Sequence, residues 1–314
     1  MPVNSKRTIT GQELGASEMS TLLGHGYGTP NDVLKRQVDA RNGIANDHKP
    51  TDVMKFGLYC EDGIRKWVED ELDVTIESEP SNCDTPGVMR NPEVPGLGAS
   101  LDGLLHPTTN GLTLRDWYGE IWTIQETMDH EIKTAADGDT ALPMSTLIQA
   151  QAQLLCANLE YALVTRLPRN KPELQHFVIT RHAPTIDAII EAVADFWQRV
   201  ETLEWYPPQT PKEVEYQWPV GTHREVVPIT DDTFDVLLQQ YYAAKQQSKA
   251  IEKTMEGLEL QLKQTMQDYE QCTSLNGYTC KWTTVTRKAQ PEKVVPAQAE
   301  STYRRFSVQQ PKGI

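Results

Sequence analysis

Cysteine is scarce and scattered in this sequence: Cys60, Cys83, Cys156, Cys272 and Cys280 are the five in 314 residues, and no two of them form a CxxC pair. That pattern excludes a zinc ribbon and a disulfide-stapled scaffold, and it reads as a chain made for a reducing cytoplasm. The seven histidines contain no HxxxH or HExxH spacing, which argues against a zinc enzyme. No run approaches the roughly 18 uncharged apolar residues of a membrane span. The first residues, MPVNSKRTITGQELGASEMS, hold no apolar stretch, so a secretory signal is not expected there. The glycines between Gly24 and Gly28 lack the Gly-Lys-Ser/Thr ending of a phosphate-cradling loop and read as an ordinary loop. Positive charge is also in deficit, 30 Lys+Arg against 44 Asp+Glu, for a formal net charge of −14. Such a protein stays soluble and does not coat nucleic acid indiscriminately. A locally basic groove, or carboxylates gathered around metal ions, remains compatible with it.

What is present is enough apolar material, 38% of residues, for a substantial core in one large or two modest domains. Apolar spacing predicts helix over 17–38, interrupted by the glycine loop, with Ser17 as the N-cap, and a second helix over 51–72. From 73 to 132 short β-like runs (74–77, 98–105, 112–117, 120–125, 130–134) are broken by Gly, Pro and Asn, as in a curved mixed sheet. Pro143 opens a helix predicted to continue to 163; a strand is expected over 175–180 and an amphipathic helix over 185–203. Five prolines then fall between Pro207 and Pro228, too many for a helix. A long helix with a near-3.5 apolar period follows over 231–271, its seam interrupted at Lys245 and Ser248, and reads as an arm packed on its own body or on a neighbour. A β-hairpin is expected over 277–288. From Lys281 onward seven Lys/Arg stand against two Glu, a solvated basic tail. The organisation is therefore a core over 1–208, a Pro-rich linker over 209–230, a helical arm over 231–271, and a hairpin with basic tail over 272–314. Trp117, Tyr118, Trp122 and Trp197 read as sheet and core packing rather than base-stacking platforms.

The chemistry-bearing residues come in four ordered pieces. Asp102 lies in GLGASLDGLL, a strand-like run followed by glycine. Glu131 and Lys133 lie in HEIKTA, where an alternation of two points both side chains to one strand face. Gln149 lies on the helix after Pro143, and Glu61 on the 51–72 helix. Taken singly, each has a bland reading as a turn aspartate, a solvated strand face or an exposed helix residue. Their order and context together point to metal-assisted hydrolysis of a phosphodiester. Mg²⁺ prefers carboxylate and carbonyl oxygens, and Asp102, Glu131 and the Ile132 carbonyl could hold it. A lysine two residues after the glutamate reaches the same space, to hold or deprotonate water or to stabilise the phosphoryl charge. A flanking glutamine can orient that lysine or the phosphate.

With those residues placed, the chain resembles the PD-(D/E)xK nuclease superfamily, and within it the lambda-exonuclease-like, YqaJ-type viral recombinase nucleases of phages. The likeness runs from about Gly11 to Pro208. It includes GASEMSTLLG, Gly57 with Glu61, the LDG of Asp102, EIK at Glu131–Lys133, QAQAQLLCANLEYALV from Gln149, and DFWQRVETLEWYPP. It implies an α/β (α+β) restriction-endonuclease-like core, a mixed curved β-sheet flanked by helices, extended here by a C-terminal long helix and hairpin. It implies Asp102, Glu131, Lys133 and Gln149 as the catalytic set. Glu61, Asp102, Glu131 and Ile132 would be ligands of Mg²⁺, with Mn²⁺ able to substitute, and Ser17 would lie near a terminal DNA 5′-phosphate. The implied activity is 5′-to-3′ digestion of linear duplex DNA that leaves a 3′ strand for annealing. The implied setting is a homo-oligomer, by analogy a ring trimer, with a single-strand annealing partner, in the cytoplasm (the host's, if the chain is phage-encoded). Three departures stand out: Leu101 replaces the usual proline, residues 112–125 form an inserted ribbon, and Thr10 stands where a phosphate-clamping arginine is expected. Arg7 is then the nearest substitute, and a strict preference for 5′-phosphorylated ends loses its basis. Two other readings stay open on the residues: an endonuclease or another DNA-processing nuclease on the same core, and a catalytically silent DNA- or partner-binding scaffold. A helicase-linked, iron–sulfur version is disfavoured by the scattered cysteines.

Overall fold

The computed structural model describes residues 11–44, 50–138, 140–221, 229 and 231–285. The described part divides into a unit ending at Gln217 and a second beginning at Trp218. β1 (Leu14–Gly15) leads through a 3-10 turn at Ala16–Glu18 into the short α1 (Met19–Leu22). Ser17 lies inside that turn and does not cap it. The cap is Gly15, whose N–H donates to the Glu18 carboxylate at 2.8 Å. α2 (Pro30–Arg41) follows a reciprocal cap in which the Thr29 N–H donates to Asp32 at 3.0 Å and the Asp32 N–H to the Thr29 hydroxyl at 3.2 Å, with Pro30 at the first helical position. α3 (Asp52–Leu72) starts from Thr51 and ends at Asp73 in the left-handed region.

The run 98–105 is split in two: β3 (Leu97–Gly98) pairs in parallel with β1, while β4 (Gly103–His106) joins β2 (Thr75–Glu77) in the main sheet. β5 (Leu112–Arg115) and β6 (Ile121–Ile124) form a separate antiparallel ribbon. Its Leu112, Leu114 and Ile124 pack against the body, and its Trp117 N–H donates to the His176 carbonyl at 2.8 Å. β7 (Met128–Ala135) then leads to α4 (Met144–Ala157), which stops at Asn158 in the left-handed region. The predicted continuation of this helix to 163 fails for that reason. β8 (Tyr161–Pro168) follows at once, a strand with no period-two signature because both of its faces are covered. β9 (Gln175–Thr180) and α5 (Ala183–Thr202) match their expected segments closely.

The main sheet has the order β2-β4-β7-β8-β9; only β7 and β8 run parallel, joined through α4. α3 covers one face, with Ile64 and Val68 packed among Ile76, Leu105, Ile132, Leu163 and Val178. α4 covers the other, with Ala150 and Leu154 against Ala162, Val164 and Phe177. The far side of α4 gives Ile148, Ala152 and Leu155 to a third layer built from α1, α2 and α5. α4 is thus covered on two sides, and its glutamines Gln151 and Gln153 are buried along with its apolar residues. Trp197 of α5 belongs to this layer, and its indole N–H donates to the Gly96 carbonyl at 2.9 Å. Gly96 has φ +85°, and a Cβ there would fall 2.2 Å from the indole nitrogen, so this approach requires glycine.

Part of the expected linker is ordered structure. α6 (Pro211–Gln217) begins on a proline, a position that needs no N–H, and docks on α2. There the Asn31 amide donates to Glu213 at 2.7 Å, and the Tyr216 hydroxyl donates to Asp32 at 2.7 Å. In the second unit α7 (Asp232–Met266) is continuous, and β10 (Gln271–Thr273) pairs with β11 (Thr279–Lys281). The hairpin therefore lies upstream of its predicted span, turning at Ser274–Gly277, and most of the basic tail lies outside the described residues. Among the described residues no helix is long and apolar enough to cross a membrane.

Candidate active site

The site forms where β4 stops pairing. β4 follows β7 only as far as Gly103↔His130, so the N–H of Ile132, next along that edge, has no strand partner. Asp102, the residue just before β4, takes it: Oδ2 accepts from the Ile132 N–H at 2.7 Å. Within a strand a residue's N–H and C=O point to the same side. The Ile132 carbonyl therefore opens toward the same gap, while its side chain goes into the core under α3. Gly103 is required by space rather than by a turn, since a Cβ there would meet Ile76 Cγ2 at 2.4 Å. The Asp102 carbonyl is held by Arg65 of α3, whose Nη2 donates to it at 3.0 Å.

The alternation along β7 puts Glu131 and Lys133 on the α4 face. Glu131 is 3% exposed and accepts donors on both carboxylate oxygens. Its Oε1 accepts from the Lys133 ammonium and from Gln149 Nε2 at 2.7 Å, and its Oε2 accepts from Gln153 Nε2. Lys133 Nζ also donates to Gln149 Oε1 at 3.0 Å, which closes a ring of three side chains. Glu61 comes from α3 and is an electrostatic neighbour of Asp102. Asp102, Glu61, Glu131, Lys133 and Gln149 are therefore brought together from four elements.

Electrostatics follow from this crowding. Burial pushes the Asp102 carboxyl well above the usual carboxylate range, and Glu131 and Glu61 add repulsion that the Ile132 N–H and Lys133 offset only in part. Burial works against the Lys133 ammonium, yet Glu131, through its charge and hydrogen bond, with Asp102 and Asp129, holds its pKa above the ordinary lysine value. Lys133 is thus a cation at neutral pH. Asp129, on the same strand face, is raised well above its usual value by burial and then by Glu131 and Asp102. Neither of its oxygens, nor Gln153 Oε1, has a hydrogen-bond partner among the described residues.

Among the described residues no group of three or more His, Cys, Asp and Glu side chains forms a ready-made metal cage. The donor chemistry nevertheless suits a hard divalent cation: carboxylates at Asp102, Glu131 and Glu61, a carbonyl at Ile132, and negative charge that Lys133 alone does not neutralise. No thiol or imidazole belongs to the set.

The remaining sequence candidates fall elsewhere. Ser17 is exposed on the 3-10 turn, and its carbonyl accepts from the Ser20 hydroxyl at 3.1 Å. Arg7 lies outside the described residues. His130, next to Glu131 in sequence, points away from the site. It is fully buried, with Nε2 3.0 Å from Thr165 Oγ1, and burial, then His176 and Arg65, lowers its pKa to about 3. Three residues were not singled out from sequence: Gln153, Asp129 and Arg65. Each was discoverable by spacing, since Gln153 is one helical turn past Gln149, Arg65 one turn past Glu61, and Asp129 two residues before Glu131 on a strand.

Residues 7–160 match the family model of the YqaJ-like viral recombinase domain. No curated protein sequence matches the chain. Among solved structures, the chain is similar to an alkaline exonuclease (LHK-Exo) from Laribacter hongkongensis at 17% identity, with 62% of this chain and 90% of that one covered and a TM-score of 0.46. The complex of LHK-Exo with dAMP aligns at 16% identity over 67% and 94%, also at 0.46. A phage-related exonuclease from Haemophilus somnus 129PT aligns at 10% identity over 61% and 94%, at 0.43.

Proposed function

We propose, from the premise that residues 7–160 are a YqaJ-like viral recombinase domain, that this chain is a metal-dependent deoxyribonuclease: an exonuclease that digests linear duplex DNA, 5′ to 3′, and leaves a 3′ strand for annealing-type recombination. The observation that carries the reading is the convergence of Asp102, Glu131, Lys133 and Gln149 on one point of β7. A scaffold has no use for that arrangement.

In this reading Asp102, Glu131, Glu61 and the Ile132 carbonyl hold Mg²⁺, with Mn²⁺ able to replace it. A bound ion supplies Lewis-acid stabilisation of phosphoryl charge and acidifies the attacking water. The chain's own residues do the positioning. The Ile132 N–H fixes the Asp102 carboxyl, while Gln149 and Gln153 fix Glu131 on both oxygens. Lys133, oriented by Glu131 and Gln149, donates to the phosphoryl oxygens as charge builds there. The resemblance extends the reading to a ring of three copies around the duplex in the host cytoplasm, which passes its product to a single-strand annealing protein.

The test uses one linear duplex labelled at either the 5′ or the 3′ end, and the same plasmid as a closed circle, each with Mg²⁺, with EDTA, and with Lys133→Ala. Release of 5′ label as mononucleotide, with circles intact and both controls silent, is the expected result. Cut circles make it an endonuclease. Digestion unaffected by EDTA or by Lys133→Ala overturns the proposed chemistry.

A further inference from the structure

α7 carries an apolar seam that nothing in the proposed chemistry uses. Phe234, Leu237, Tyr241, Ala244, Ser248, Ile251, Met255, Leu258, Leu262 and Thr265 recur every three and four residues in alternation along one uninterrupted helix. That is the a/d heptad of a two-stranded coiled coil rather than the wider stripe of a helix seated on a globular core. Leu237, Ile251, Met255, Leu258 and Leu262 are each more than half exposed. At 1.5 Å per residue, 35 residues extend to roughly 50 Å. An exposed seam of that length, apolar at every position but Ser248 and Thr265, marks an interaction surface.

We propose that this seam is covered by the α7 of a second copy, running antiparallel, about a two-fold axis that crosses the helix between Lys249 and Ala250. The residue sizes select the orientation. In a parallel pair each layer faces itself, so Ala244 meets Ala244 and Ser248 meets Ser248, which leaves a hollow in mid-helix between bulky Tyr241 and Ile251 layers. Turned antiparallel, Leu237 faces Leu262, Tyr241 faces Leu258, Ala244 faces Met255 and Ser248 faces Ile251, so every small residue meets a large one. The breaks at Ala244 and Ser248 thus become partners for the bulkiest residues of the other half.

Charge selects the same orientation. Beside the seam, the e positions are Leu238, Lys245, Glu252, Glu259 and Met266, and the g positions are Thr233, Gln240, Gln247, Thr254 and Gln261. An antiparallel pair sets e against e: Lys245 of each copy lies beside Glu252 of the other, twice by symmetry. A parallel pair sets e against g, where Lys245 would find only Gln240 and Glu252 only Gln247. The interface is isologous and closes on two copies, so it can join two single chains or two higher assemblies.

The mass of the full chain, by light scattering or sedimentation over a range of concentrations, tests this. Leu258→Lys and Ile251→Lys place charge in the seam and are expected to halve the mass. Lys245→Glu sets Glu against Glu252 and is expected to weaken association at least tenfold, and Lys245→Glu with Glu252→Lys is expected to restore it. Helix content by circular dichroism, and the nuclease activity of each variant on a short duplex, report whether the chain still folds, since none of these positions belongs to the site on β7. An unchanged mass for Leu258→Lys and Ile251→Lys overturns the proposal, and the seam is then covered by the same chain. Halved mass for those two, with Lys245→Glu behaving as wild type, overturns the antiparallel orientation.

Discussion

Asp102 and Ile132 are joined by a hydrogen bond of 2.7 Å from the Ile132 backbone N–H to Oδ2 of the aspartate. The bond replaces the ladder contact that β4 would have made had it continued past Gly103. It ties an acid that precedes one strand to the backbone between Glu131 and Lys133 on the next. One backbone group therefore sets the distance between the two halves of the site.

Asp102→Asn separates the charge of this residue from its structural part. The amide oxygen can still accept from Ile132, so stability should change little, while nuclease activity falls by at least a hundredfold. Asp102→Ala loses both, with an added stability cost of about 1 kcal/mol for the orphaned N–H. Urea unfolding and single-turnover digestion of both variants check this; equal activity in Asp102→Asn and wild type would remove Asp102 from the chemistry.

Gln153 is expected to act through Glu131. Gln153→Met keeps the volume and frees Oε2 of Glu131. The expected result is a roughly tenfold drop in kcat with KM nearly unchanged, because the lost bond orients a carboxylate and does not hold DNA. Gln149→Met also releases Lys133 and should cost more. A rise in KM alone for Gln153→Met would place this residue in DNA binding instead.

Gly103→Ala tests whether the glycine after Asp102 serves packing. The added methyl would meet Ile76 Cγ2 at 2.4 Å, and overpacking of this kind costs roughly 1–3 kcal/mol. Ile76→Ala opens the same space, so the double variant should be more stable than the sum of the two singles predicts. Strict additivity in thermal or urea unfolding would show that the two do not meet.

The neutral His130 makes stability depend on pH with a definite sign. In the fold its pKa lies at about 3, against 6.5 for the free side chain. A depressed base takes its proton more readily when unfolded, so its contribution is whole above 6.5 and is lost as pH falls toward 3. The slope is about 1.4 kcal/mol per pH unit inside that window. Comparing His130→Gln with wild type between pH 7 and pH 4 isolates this group: the variant's unfolding free energy should fall less steeply. Parallel curves would mean that His130 takes up its proton while still folded.

Much of the site was legible in the one-dimensional pattern. Glu131 and Lys133 share a face because a strand alternates, and Glu61 and Gln149 were placed on helices that the structure contains. What escaped depended on cover from elsewhere. β8 has no alternation because helices and neighbouring strands bury both of its faces, so its first residues, up to Leu163, read as an extension of α4. α6 hid in a proline-rich stretch because its helicity is supported by Asn31 and Asp32 on a distant helix.

The sequence by itself determined the periodicities: the strand that presents Glu131 with Lys133, the helices that carry Glu61 and Gln149, and the heptad of α7. These depend on the local geometry of the backbone, which each segment carries with it. Only the tertiary structure decided that Asp102 precedes its strand instead of ending one, that His130 turns away from the site, and that Gln153 completes the grip on Glu131. Those outcomes depend on where β4 stops pairing with β7 and on which faces α3 and α4 cover, and long-range packing decides both.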